Sequence, residues 1–213
     1  MSVIYIVTNE NYYLYRDEME QAYRLRHQVF VEEMGWTQLA KPDGREIDQF
    51  DNEHAVHMLY IEDGKVLGYQ RMLPSTRPHL LSEITPELCE GERPVGSHIW
   101  ELTRHCVGRA HREKMGRIAS LAANVILSGM VEWGLQRGVS TVIVEIEPAT
   151  MLRLVQLHFR PFPLGLPMRI AGRDTIALTL TFDWRTLNRM REMRGAWNSV
   201  LAETFETPAL LQA

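Results

Sequence analysis

Val56-His57-Met58-Leu59-Tyr60-Ile61, then Glu62-Asp63-Gly64, then Lys65-Val66-Leu67-Gly68-Tyr69-Gln70-Arg71-Met72-Leu73 is the stretch that decides the fold. Two strand-like runs flank a short turn containing Asp-Gly, which is a hairpin signal. Toward the N-terminus, Ser2 to Val7 reads as a short strand. Asn11 to about Glu33 reads as a helix, because Leu14, Met19, Ala22, Tyr23, Leu25, Val29 and Phe30 recur at roughly helical spacing. Gly35 is its stop signal. The segment from Gly35 to about Glu53 has little periodicity and holds the turn signal Lys41-Pro42-Asp43-Gly44, so a long ordered loop is expected there. Such loops inside compact domains are usually functional.

Toward the C-terminus, Pro74 to Pro94 holds four of the ten prolines and reads as irregular. His98 to Val107 reads as a strand and Arg112 to Gln136 as a helix with Ile118, Leu121, Ala122, Val125, Ile126, Met130 and Trp133 on its apolar face. Gly138 follows its end. Thr141 to Ile146 is a buried strand, Ala149 to His158 a helix opened by Pro148, and Thr175 to Phe182 a last strand. Trp184 to about Thr204 reads as a terminal helix. The order β, α, β-meander, α, β, α, β, α predicts an α/β (α+β) fold: a mixed, mostly antiparallel twisted sheet with helices on both faces.

The bulk properties narrow the function. At 213 residues the chain is expected to form one domain, residues 1–213, with a real core and no need of staples. A net charge of −4 gives no reason to expect a nucleic-acid partner. Cys89 and Cys106 show neither metal-ligand spacing nor a disulfide framework, which fits a reducing cytoplasm. The first residues do not read as a signal peptide, and no apolar run reaches the length of a membrane span. No metal is expected either: Asp-x-x-Asp at Asp48 and Asp51 is a weak signal, no histidine falls at a matching spacing, and the histidines, His79 among them, read as incidental.

The candidate chemistry lies in a broken series of charged and aromatic residues. It comprises Arg26-x-x-x-Phe30, Trp36, Glu46-Ile47-Asp48-Gln49-Phe50-Asp51, Arg71 and Trp100-Glu101-Leu102-Thr103-Arg104. Arg71, Glu101 and Arg104 fall in or beside apolar strand-like runs, where a charge is expected only if paired. Strand alternation puts Glu101 and Thr103 on one face and Arg104 on the other, unless a bulge brings Arg104 round. Arg26 and Phe30 stand one helical turn apart, and Trp36 reads as a pocket wall or lid. Asp48 and Asp51 suit a cationic ligand such as an amine or a sulfonium, and Arg71 suits a carboxylate. The structural alternatives are a Glu101–Arg104 ion pair, a salt bridge from Arg71 to Asp48 or Asp51, and a solvated acidic loop. Arg109, Arg112, Lys114 and Arg117 form a basic start to the long helix, either solvated or suited to an anion.

Taken together, these positions resemble the acyl-homoserine-lactone synthases, the LuxI-type autoinducer synthases. Arg26, Phe30 and Trp36 match the family's amino-terminal trio, Glu46 to Asp51 its acidic loop, Arg71 its strand arginine, and Glu101-Leu102-Thr103-Arg104 its Glu-x-Ser/Thr-Arg signature. The resemblance covers most of the first 110 residues. It implies a fold similar to the GNAT acetyltransferases, although the usual GNAT pyrophosphate loop is only approached at Arg112 to Gly116. It implies S-adenosylmethionine as a substrate, no prosthetic group, and an acyl-coenzyme A or acyl carrier protein thioester as donor. The amine would attack the thioester, and the methionyl carboxylate would then close the lactone and expel methylthioadenosine.

In that chemistry Glu101 is the expected base, with Asp48 and Arg71 beside it in the catalytic set. The substrate-binding set is Arg26, Phe30, Trp36, Asp51, Thr103 and Arg104, with Ile146, Glu147 and Thr150 lining the acyl pocket. Backbone N–H groups near residues 102–104 are expected to hold the thioester oxygen. Pro42-Asp43-Gly44-Arg45-Glu46-Ile47-Asp48 and Pro163-Leu164-Gly165-Leu166-Pro167 look more like the branch that uses acyl-coenzyme A, with branched or aryl acyl groups, and Glu147 fits a short or unusual acyl group. Two other readings explain less: a GNAT-like N-acyltransferase for another amine, and a non-catalytic ligand-binding protein.

Overall fold

The computed structural model describes residues 3–112 and 121–202. Its strands are β1 (Val3–Val7), β2 (Val56–Glu62), β3 (Lys65–Pro74), β4 (Ile99–Val107), β5 (Thr141–Ile146), β6 (Arg160–Pro163), β7 (Met168–Ile170) and β8 (Arg173–Thr181). They follow the order β1-β2-β3-β4-β5-β8-β6, with β7 paired to β8. Every pairing is antiparallel except that of β4 with β5, so the mixed, mostly antiparallel sheet expected from the sequence is present.

Strand alternation assigns the two faces. Ile4, Ile6, Met58 and Tyr60 pack into a core with α4 (Leu121–Gln136) and α6 (Trp184–Arg194). Val7, Leu59, Ile61 and Tyr69 pack with α1 (Arg16–Arg26) on the other side. The β2–β3 hairpin turns through Asp63 and Gly64, both at positive φ, the backbone that a two-residue turn of this hand requires.

Several boundaries differ from expectation. The first helix is not uniform: α1 passes into a π-helical segment at His27–Glu33, which shifts the register just before Gly35 (φ 75°) ends it. The proline-rich stretch contains α2 (Leu80–Glu83) and a 3-10 turn at Pro86–Leu88. A short α3 (Arg109–Arg112) begins the basic segment, while Lys114, Arg117 and Ile118 lie outside the described residues. The helix expected over Ala149 to His158 is a 3-10 turn at Pro148–Thr150 followed by α5 (Met151–Gln156). Strands β6 and β7 are not expected from the sequence, because Pro161, Pro163 and Pro167 argue against strands, yet β6 is an edge strand, where proline is tolerated. The terminal helix stops at Arg194, since Gly195 (φ 69°) adopts the left-handed cap; Thr204 lies outside the described residues.

Two irregularities position the site. Strands β4 and β5 pair only from Ile99 to Glu101 against Thr141 to Ile143. Beyond that, Leu102 and Thr103 keep pairing with β3 and Val144 to Ile146 with β8, so the sheet opens between β4 and β5. The second is a bulge. Tyr69 pairs with Cys106 and Arg71 with Thr103, which leaves one extra residue on β4, and Arg104 sits there at φ 55°. The bulge anticipated from the sequence therefore exists, and it re-aims Arg104.

The C-terminal segment is tied back by one buried acid. Glu132 on α4 accepts from Arg191 Nη2 (2.9 Å), Ser199 Oγ (2.7 Å) and Val200 N (3.0 Å). Val200 O in turn takes the Ile4 N–H at 2.6 Å, which docks the segment on β1. Replacing Glu132 by Ala strips these acceptors and leaves Arg191 facing a void. We expect a loss of about 3 kcal/mol in urea unfolding, the cost typical of breaking a buried charge pair.

Candidate active site

Three arginines and three carboxylates form a closed ring of alternating charge. Arg26 Nε donates to Glu46 Oε2 at 2.6 Å. Arg104 donates to Glu46 at 3.1 and 3.2 Å and to Asp48 Oδ2 at 2.7 Å. Arg71 makes a two-point contact with Asp48 at 2.6 and 3.0 Å and reaches Asp51 Oδ1 at 2.8 Å. Arg26 then closes the ring with its own two-point contact to Asp51 at 2.7 and 2.9 Å. Planar guanidiniums permit this, because each can present donors along two edges.

The ring is buried and walled by aromatic faces. Arg26 lies over Tyr23 and Tyr69, Arg71 over Phe50 and Arg104 over Phe30, at 5.1 to 5.8 Å from the ring centres. Burial works to raise the Asp51 pKa, but Arg71 and Arg26 outweigh it and hold the carboxyl far below its usual range. Asp48 is lowered in the same way, with burial opposed by Arg71 and Arg104. The loop is also self-ordered: Asp48 Oδ1 accepts from Phe50 N and Asp51 Oδ2 from Asp48 N, each at 2.9 Å. Both salt bridges weighed for Arg71 are thus present, and the acidic loop is not a solvated one.

Glu101 is not paired with Arg104. Its Oε1 accepts from Leu81 N (2.8 Å) and His79 Nδ1 (2.9 Å), and its Oε2 from Leu80 N (2.8 Å). Arg93 Nη1 approaches His79 Nε2 at 2.6 Å. A guanidinium can only donate, so Nε2 accepts and the imidazole proton sits on Nδ1, directed at Glu101. His79, expected to be incidental, is a fully buried link in a chain Arg93–His79–Glu101.

A cleft of about 510 Å³ runs through the opening between β4 and β5. Phe30, Trp36, Glu101, Thr103, Arg104, Ile146, Glu147 and Thr150 line it, as expected. Arg26, Asp48, Asp51 and Arg71 are not among its lining residues and stand behind Arg104 in the ring. Phe30 and Trp36 stack with centroids 5.4 Å apart, and Trp36 Nε1 is buried without an acceptor among the described residues. Toward α4 the lining is mostly apolar, with Leu102, Leu127, Met130, Val144, Leu154, Phe159 and Leu180, and His105 and Arg153 are its polar members. Glu147 at the rim pairs with Arg173 at 2.6 Å.

The family pattern of the autoinducer synthases matches residues 10–179. The chain belongs to the autoinducer synthase family. The isovaleryl-homoserine lactone synthase of Bradyrhizobium diazoefficiens is 34% identical to this autoinducer synthase over 194 residues, covering 91% of this chain and 86% of the relative. The structure of BjaI, a coenzyme A-dependent acyl-homoserine lactone synthase solved with S-adenosylmethionine and isopentyl-CoA, superposes with a TM-score of 0.87 at 32% identity, covering 93% and 92% of the two chains. A protein described as an N-acetyltransferase, from Lactobacillus plantarum, shares the fold at a TM-score of 0.53 and 19% identity over 84% and 99%.

Four residues at or beside the site do not stand out in the sequence as site residues. Glu46 lies within the acidic loop, where no pattern separates it from its neighbours. His79 and Thr85 lie in a proline-rich stretch without periodicity. Glu145 does carry a signal, a charge inside the β-branched run Thr141 to Ile146, although the resemblance points to Glu147. Burial pushes the Glu145 carboxyl up to about 7, against the Thr85 hydroxyl that bonds it at 2.5 Å and with the nearby Glu101 charge adding to the rise.

Asp51→Ala leaves two buried guanidiniums short of a partner, and we expect it to cost about 3–5 kcal/mol at pH 7. Because the folded-state pKa values of Asp48 and Asp51 lie below the unfolded value near ~4, their contribution is complete above that pH. It is lost as pH falls through the lowered values. Urea titrations between pH 2 and 7 should therefore show a steep acid loss below about pH 4 in the parent and a shallower one in Asp51→Ala.

Proposed function

We propose that this chain is an acyl-homoserine-lactone synthase, acting as a single domain, that joins the acyl group of an acyl-coenzyme A to the amine of S-adenosylmethionine. The observation that carries the reading is the cleft itself. It has a charged, aromatic end beside the arginine–carboxylate ring and an apolar end beyond the opened sheet. A sulfonium-bearing amine and an acyl thioester need those two environments, meeting at one point.

Trp36, stacked on Phe30, offers a π-face to the sulfonium and the adenine. Arg71 keeps the acidic loop in place through Asp48, Asp51 and the Thr103 hydroxyl (3.2 Å). Arg104 lines the cleft and has no bond at Nη1 among the described residues, so it takes the methionyl carboxylate that Arg71 was expected to bind. Backbone N–H groups of the opened stretch from Leu102 to Arg104 face the thioester oxygen as charge builds on it. Leu127, Met130, Val144 and Phe159 hold the acyl group, and Glu147 with Arg173 closes the rim against a long plain chain. The likeness to a coenzyme A-dependent synthase, with the Pro163 to Pro167 segment, supports coenzyme A rather than acyl carrier protein as the carrier.

Purified protein supplied with S-adenosylmethionine and a short branched or aryl acyl-CoA should release methylthioadenosine and the matching acyl-homoserine lactone. The same acyl groups on carrier protein should react at least about tenfold more slowly in kcat/KM, which corresponds to ~1.4 kcal/mol. No release from any donor of either kind would end the proposal. Trp36→Ala should lower kcat/KM about tenfold through KM for S-adenosylmethionine, the scale of one lost cation–π contact in a desolvated site.

A further inference from the structure

The charge ring is complete in itself, each arginine bonded to two carboxylates and each carboxylate to two arginines. It has nothing over for a substrate ammonium. Apart from Glu147, which pairs with Arg173 at the rim, two carboxyls line the cleft, Glu101 and Glu145. Their surroundings are opposite. Glu101 is 1% exposed and already accepts two backbone N–H groups and an imidazole N–H. It fastens α2 to the sheet.

Glu145 is half-buried and accepts only the Thr85 hydroxyl, with no cation bonded to it among the described residues. Its place on the strand matters. Glu101 pairs with Ile143, so Glu145, two residues on, projects from the same side of the sheet at the first point where β4 and β5 have parted. It stands where an amine from the charged end would meet a thioester from the apolar end.

We propose that Glu145, rather than Glu101, binds the substrate ammonium and accepts its proton. This rests on the reading above that an amine attacks a thioester in this cleft. Glu145 takes one proton from the ammonium, and the freed nitrogen lone pair forms the C–N bond at the thioester carbonyl carbon. As the C–S bond breaks, the second nitrogen proton passes to the departing thiolate. An amide and a thiol result, and Glu145 returns its proton to water.

The groups facing Glu145 are Thr85 and Glu87 from the segment before β4, Glu101 and Arg104 on β4, and uncharged Ala177 opposite it on β8. Burial comes first in raising this carboxyl to about 7, Glu101 and Glu87 add to the rise, and Thr85 and Arg104 oppose it. The group therefore becomes a proton acceptor as pH rises through neutrality, where a general base works best.

The test compares parent, Glu145→Gln and Glu145→Asp in two measurements. In methylthioadenosine release, the parent should show an ascending limb near pH 7 in kcat/KM. Glu145→Gln should lose that limb and about 100-fold in kcat, with an unchanged melting temperature, and Glu145→Asp should recover part of the rate. In calorimetric titration with S-adenosylmethionine alone, the parent's affinity should tighten from pH 6 to 7.5 and that of Glu145→Gln should stay flat. Rates within about threefold of the parent with the limb intact, or equal pH dependence of binding in both proteins, would overturn the assignment. Binding without turnover on any donor would instead count against the synthase reading, since the titration needs no thioester.

Discussion

Three guanidiniums and three carboxylates can share one interior only because every member serves two neighbours. Isolated buried charges are costly, and isolated buried pairs are weak stabilisers at best. Closure of the ring through Arg26, Glu46, Arg104, Asp48, Arg71 and Asp51 removes the loose ends that make such groups expensive. It also ties the β3–β4 ladder to parts of the chain outside it: the end of α1 and the loop before β2 meet the middle of β3 and the bulge in β4 there. The loop from Gly35 to Glu53 has little secondary structure of its own, and the ring gives it one conformation.

The opened sheet complements that fixed corner. A continuous ladder between β4 and β5 would bar passage from one face to the other. Parting the strands after Glu101 makes a cleft whose two ends differ in polarity because the two faces pack against different layers. The helix α1 side carries the charge ring, and the α4 side carries aliphatic residues. Catalysis of the proposed kind needs no large movement in such an arrangement, only two ligands entering regions that already suit them.

Much of this was legible from residue patterns. The hairpin, the long helix with the strand that follows it and the strand holding Glu101 all follow from periodicity, and the need of a bulge followed from putting Glu101 and Arg104 at one site. Closure of the ring was not legible, because Glu46 lies in a loop where no period says which way a side chain points. The partners of Glu101 were hidden for a related reason. They come from His79 to Leu81, about twenty residues away in a stretch whose prolines signal only irregularity. The prolines of β6 masked an edge strand, since sequence cannot say which strand ends a sheet.

Arg104 holds two demands that pull apart. Its backbone, at φ 55°, occupies a region that suits glycine or asparagine, while its side chain must be a planar fork reaching both Glu46 and Asp48. No residue satisfies both. A replacement that relaxes the backbone opens the ring, and one that keeps the ring retains the strain. Selection for thermal robustness and selection for turnover would thus push this one position in opposite directions, a local instance of the trade-off between stability and activity.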